Sequence, residues 1–80
     1  MTIIKLSGGD LGSNTLLVRG DLWVSSATIE MMNGHGWEPT PHRAAEVGQT
    51  AEGLAELGKQ LAARNYGLPA DGFECRVEEL

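Results

Sequence analysis

Apolar and polar positions alternate along the first third of the chain in short runs broken by glycine. Thr2–Ser7 (TIIKLS) is β-branched at its start and closed by Gly8-Gly9, which predicts a strand near 2–7. Turn-forming residues fill Gly8–Asn14 (GGDLGSN). Two apolar runs, Thr15–Arg19 (TLLVR) and Leu22–Ser26 (LWVSS), then flank Gly20-Asp21, the pattern of a two-residue hairpin joining strands near 14–19 and 22–29. Such a turn sets Arg19 against Leu22, Val18 against Trp23 and Leu17 against Val24. Leu17, Leu22 and Val24 would share one face, and Leu16, Val18 and Trp23 the other. An antiparallel sheet with one wet face is polar on that side, and here neither side is, so the hairpin requires cover on both.

The periodicity changes from two to 3.6 over Ala51–Asn65, a predicted helix at 51–65. Thr50 is a suitable N-cap and Glu52 lies in the first turn, where the positive end of the helix dipole favours it. Leu54, Leu57 and Leu61 form the apolar stripe with Ala51, Ala55, Gly58 and Ala62, small residues that allow the axis to lie close to a sheet. Gly67 and Pro69 stop the helix. Phe73–Val77 (FECRV) alternates apolar and charged residues and predicts a last strand near 73–77, with Cys75 turned to the core between Phe73 and Val77.

The middle of the chain, 28–49, is ambiguous. Thr28–Met32 fits either an extension of the third strand or a helical turn stopped by Asn33-Gly34. Pro39 and Pro41 oppose regular ladder pairing. A strand at 43–47 and a short helix from Pro41 to Val47 fit equally well. The whole predicts an α+β fold, a small antiparallel sheet packed by one main helix, in a single domain spanning 1–80.

Composition narrows the function classes. Eleven glycines among 80 residues point to abundant turns, and six basic against eleven acidic residues give a net charge of −5. That balance repels phosphate backbones and argues against direct nucleic-acid binding, while it permits binding to a basic surface that itself holds nucleic acid. A single cysteine forms no internal disulfide, and no window reaches the length of a membrane span, so a cytoplasmic location is expected, in a host cell if the chain is phage-encoded.

Candidate chemistry is sparse. Asp10-Leu11-Gly12-Ser13-Asn14-Thr15, followed by Leu16-Leu17-Val18, resembles the first phosphate motif of the exopolyphosphatase branch of actin-like phosphotransferases. That resemblance implies an aspartate at a strand end and a glycine turn facing phosphate or its metal. The sequence departs from the family at Ser7-Gly8-Gly9, where an apolar run should precede the aspartate, and the family needs two large domains with further phosphate motifs. Val47–Leu54 (VGQTAEGL) faintly resembles the strand-to-helix step of HicB-type antitoxins. Arg19-Gly20-Asp21 is accounted for by the hairpin turn. His35 and His42 lie seven apart in a Gly/Pro-rich segment with no ligand spacing, and read as exposed loop histidines. No catalytic, cofactor or metal site is predicted.

What remains is a bias toward binding. Met31, Met32 and Trp37, with Glu30, Glu38 and Trp23, are the residue types enriched at contact surfaces, and they are the candidate partner-binding residues. For Met31, Met32 and Trp37 the favoured reading is that they fold back as the missing cover for the second face of the hairpin. The expected function is a non-enzymatic protein-binding module, a stoichiometric inhibitor or adaptor. The alternative is an acidic decoy on a nucleic-acid-binding partner, analogous in size and charge to phage anti-defence (anti-CRISPR) inhibitors. Accessory subunit and small metal-binding protein rank below both. A homodimer through the second apolar sheet face is a further expectation.

Placement of the leucine stripe in the core predicts that Leu57→Ala costs about 2–5 kcal/mol in urea melts. A loss under about half a kcal/mol, the size expected of a surface substitution, would place that helix face in solvent instead.

Overall fold

A computed structural model of the chain describes residues 1–8, 11, 14–67 and 72–79. The β-branched start forms strand β1 (Thr2–Ser7), which pairs antiparallel with β2 (Leu16–Gly20). Strand β3 (Thr28–Asn33) follows on the outer side of β2, then β4 (Gly36–Arg43) on the outer side of β3. A 3₁₀ turn (Ala44–Val47) leads into helix α1 (Ala51–Tyr66), and the chain returns as β5 (Glu74–Glu79) beside β1. The sheet order is β4-β3-β2-β1-β5, antiparallel throughout. The α+β class read from the sequence is therefore the observed one, with strand boundaries that differ in the middle.

The principal difference is at Gly20-Asp21. The chain does not reverse there in two residues. β2 ends at Gly20, and two successive turns follow, closed by the Val24 N–H on the Asp21 carbonyl (3.2 Å) and the Ala27 N–H on the Val24 carbonyl (2.8 Å). Val18 accordingly faces Met31 and Arg19 faces Glu30, not Trp23 and Leu22. The segment expected as a strand at 22–29 is mostly this loop, and only its last two residues enter β3. Two packing facts explain the longer connection. Leu22 is needed as a plug, 2% exposed, at the end of the core. Gly20 serves close packing rather than a turn, because a Cβ there would stand 3.2 Å from Ile29 Cγ1 and crowd it.

A tight reversal does occur further on. Asn33 faces Gly36 across Gly34-His35, with the His35 N–H donating to Asn33 Oδ1 (2.7 Å) and Gly36 at φ 119°. Pro39 and Pro41, expected to prevent pairing, lie inside β4. They are tolerated because β4 is an edge strand and its register against β3 shifts between Thr28 and Glu30. The segment 43–47 is a 3₁₀ turn after Arg43 rather than a strand, so the step into α1 at Val47–Leu54 is helix to helix. Asp10, Gly12 and Ser13 of the phosphate-like motif lie outside the described residues.

The core lies between α1 and one face of the sheet. Ile4, Leu6, Leu16, Val18 and Ile29 meet Leu54, Leu57, Leu61 and Ala62, with Leu11, Leu22 and Phe73 closing the ends. Thr50 caps α1 by accepting from the Gly53 N–H (2.9 Å), and Gly67 ends it at φ 68°. Gly58 brings the helix against the sheet, where a Cβ would meet Leu6 Cδ1 at 3.1 Å and Val18 Cγ2 at 3.5 Å. At Gly53 a Cβ would stand 1.8 Å from the Val47 carbonyl oxygen, so the 3₁₀ turn folds directly onto the first turn of α1.

The two helical glycines should therefore respond oppositely to alanine. Helix propensity alone favours alanine by about 1 kcal/mol at both. Gly53→Ala should instead destabilise by about 1–3 kcal/mol, because backbone must move to admit the methyl group. Gly58→Ala should stay within about 1 kcal/mol of the parent, since the Leu6 methyl can give way. Urea midpoints of the two variants check this, and equal effects would contradict the packing described.

Candidate functional site

Strand alternation sorts the sheet into two faces of different fate. Thr2, Ile4 and Leu6 of β1 and Leu16, Val18 and Gly20 of β2 are buried toward α1. Ile3, Lys5, Leu17 and Arg19 point the other way. The register carries that face outward in both directions. Arg19 faces Glu30, Glu30 faces Pro39, and Met32 faces Trp37. On the other side Lys5 faces Arg76, Ile3 faces Glu78 and Ser7 faces Glu74. Among the described residues no second layer lies over this face.

Apolar and charged side chains share its centre. Ile3, Leu17, Met32 and Trp37 come from four different strands, β1 to β4, and each is half-buried. A long charged side chain, Arg19, lies over part of this surface, charge outward. Its guanidinium carbon lies 4.1 Å from the Trp37 ring centroid, and its Nε donates to Glu30 Oε2 at 2.8 Å. Stacking and ion pair fix one orientation of the guanidinium and leave the rest of its N–H donors for other partners.

The sequence candidates divide accordingly. Glu30, Met32 and Trp37 meet on the open face. Met31 points to the opposite face, packed on the core, and its sulfur accepts from Asn65 Nδ2 at 3.3 Å. Glu38 faces Met31 and lies exposed on the helix side. Trp23 stands apart in the loop after β2, 79% exposed. The Met32–Trp37 pair does not fold back as a lid. The β3–β4 hairpin extends the sheet in its own plane and enlarges the face it was expected to cover. Ile3, Lys5, Leu17 and Arg19 were absent from the candidates, although strict alternation along 2–7 and 16–20 places them together once the register is known.

Two other groups lie elsewhere than the sequence implied. Cys75 is exposed on β5, not buried. It is on the helix side, opposite Leu6, but α1 packs mainly over β1 and β2 and touches β5 too little to enclose it. His35 is exposed in the β3–β4 turn, as expected, whereas His42 is half-buried within β4. His42 Nδ1 lies 3.4 Å from Glu46 Oε2, and its Nε2 is buried without a hydrogen-bond partner. It opens on a shallow groove of about 310 Å³ shared with Glu46, Val47, Gly53, Glu56, Leu57 and Gln60. Among the described residues no three His, Cys, Asp or Glu side chains converge as ligands for a metal ion, and no helix is long and apolar enough to cross a membrane.

Comparison with family models, with curated proteins and with solved structures finds no match to this chain.

The two tryptophans should behave differently on truncation. Trp23→Ala should change stability by less than about 0.5 kcal/mol, as for a solvated surface side chain. Trp37→Ala should cost about 1–2 kcal/mol through the lost stacking on Arg19 and the half-buried ring. Thermal or urea unfolding of the two variants decides, and a larger loss for Trp23 would contradict this placement.

Proposed function

We propose that the chain is a non-enzymatic protein-binding module, a stoichiometric inhibitor or adaptor that receives its partner on the open face of the sheet. The observation that carries this is the contiguous stripe Ile3–Leu17–Met32–Trp37, which crosses four adjacent strands with no layer above it among the described residues. Partly exposed apolar surface set among polar groups is of the kind that marks contact sites in soluble proteins. Charged side chains share the face: Arg19 stands opposite Ile3 and Lys5 opposite Leu17, with Glu30 on β3 and Glu74, Arg76 and Glu78 on β5. Apolar side chains interleaved with charges of both signs suit a protein interface, with a stacked tryptophan and arginine as its anchor.

The distribution of charge favours this over an acidic decoy. A decoy would concentrate negative charge where it touches its target. Here the acidic excess includes Glu38, Glu46, Glu52 and Glu56, which are exposed and belong to β4's helix side, the 3₁₀ turn and α1. A decoy acting through those residues would bind the partner with the opposite side of the molecule.

Affinity capture from the source cells with the wild-type chain and two sets of variants separates the readings. Leu17→Gln and Met32→Gln should each weaken retention of a stoichiometric partner by at least about tenfold, equivalent to about 1.4 kcal/mol, while Glu52→Gln and Glu56→Gln leave it unchanged. A partner that ignores Leu17 and Met32 but is lost with Glu52 and Glu56, or with added salt, would overturn the open-face reading in favour of the decoy.

A further inference from the structure

The sheet has two edges, and they are built differently. β4 carries Pro39 and Pro41 and a register shift, devices that prevent another strand from pairing there. β5 has neither. It pairs with β1 at six consecutive positions without a shift, which leaves its outer row of backbone N–H and C=O groups in regular alternation. All six of its residues are exposed, and Val77, on the helix side opposite Ile4, retains 47% of its surface.

We propose that β5 is a self-pairing edge, joining two copies of the chain antiparallel about a two-fold axis at Val77. The charge pattern selects this register. In an antiparallel pair, facing residues lie on the same side of the sheet, so the two-fold axis must pass through a residue. An axis at Arg76 sets Arg76 against its own copy and Glu74 against Glu78, like charges directly opposed. An axis at Glu78 opposes two glutamates. An axis at Cys75 joins only Glu74–Arg76, because Phe73 is committed to the core and precedes the strand. An axis at Val77 brings the two half-exposed valines together, sets Arg76 against Glu78 of the other copy twice, and places Cys75 opposite Glu79. Arg76 and Glu78 are on the open-face side and within 3.7 Å of each other in one chain, with side chains 76% and 50% exposed, so both are free to exchange partners.

Pairing of this kind keeps each face on its own side. Two five-stranded sheets join edge to edge, both α1 helices lie on one side, and both stripes of Ile3, Leu17, Met32 and Trp37 lie on the other. The dimer rests on the β5 edge alone and stands independently of the partner-binding role, but it would present that face twice.

Sedimentation equilibrium of the full chain over a wide concentration range tests it, with circular dichroism confirming that each variant is folded. The wild type should show a concentration-dependent dimer. Arg76→Glu and Glu78→Arg should each weaken it by at least about fivefold, by turning two opposed pairs repulsive. The double variant Arg76→Glu/Glu78→Arg should restore it, since opposite charges again face each other. Under mild oxidation Glu79→Cys should form a covalent dimer through Cys75 of the other copy, whereas the wild-type Cys75 should not, being offset from its own copy. A monomer at every concentration, a dimer indifferent to Arg76→Glu, or a charge swap that fails to restore association would each overturn the proposal.

Discussion

The close docking of α1 on β1 and β2 determines most of what this molecule can do. Gly58 removes the side chain at the point of closest approach, and Leu54, Leu57 and Leu61 then fill the space around Leu6 and Val18. A helix is about 10–12 Å across with its side chains, whereas five strands at about 4.8 Å spacing span roughly 19 Å. One helix set over the inner strands therefore cannot enclose a whole sheet face, and it leaves the opposite face untouched. The exposure of Cys75 and Val77 on β5, and the half-buried stripe on the far face, both follow from that mismatch. The loops extend the core only at its ends, through Leu11, Leu22 and Phe73.

The proposed function rests on the uncovered area of the sheet. The open face combines aliphatic and aromatic surface with an arginine held by Trp37 and Glu30, so that side chain is oriented in the free chain. Preorganisation of this sort reduces the ordering cost of association. The β4 edge is closed to further strands by its prolines, while β5 remains regular, so the sheet can grow on one side only.

Much of this was legible in the sequence, and the failures have identifiable causes. β1 and α1 were read within a residue or so because period-2 alternation and the Thr50 and Gly67 caps are local signals. The apolar character of both faces of β2 was also legible, from Leu16 and Val18 on one side and Leu17 on the other, but the expected cover on the Leu17 side is not found among the described residues. Gly20-Asp21 misled because a glycine packed closely against Ile29 looks the same in sequence as a glycine required for a turn. The register error then moved Trp23 into a strand and hid Arg19 from the candidate site, since its partners Glu30 and Trp37 are set by long-range pairing. Pro39 and Pro41 obscured β4 because tolerance of proline depends on edge position, which topology decides. Cys75 was assigned to the core correctly by face and wrongly by depth, because alternation does not report where the helix stops.

The central claim is that one face of the sheet is uncovered, and solvent accessibility of side-chain methyl groups tests it most directly. NMR attenuation by a soluble paramagnetic agent should be strong for Ile3, Leu17 and Met32 and weak for Ile4, Leu6 and Val18. Equal protection of the two sets in the free protein would show that the face is already covered, and would contradict the account.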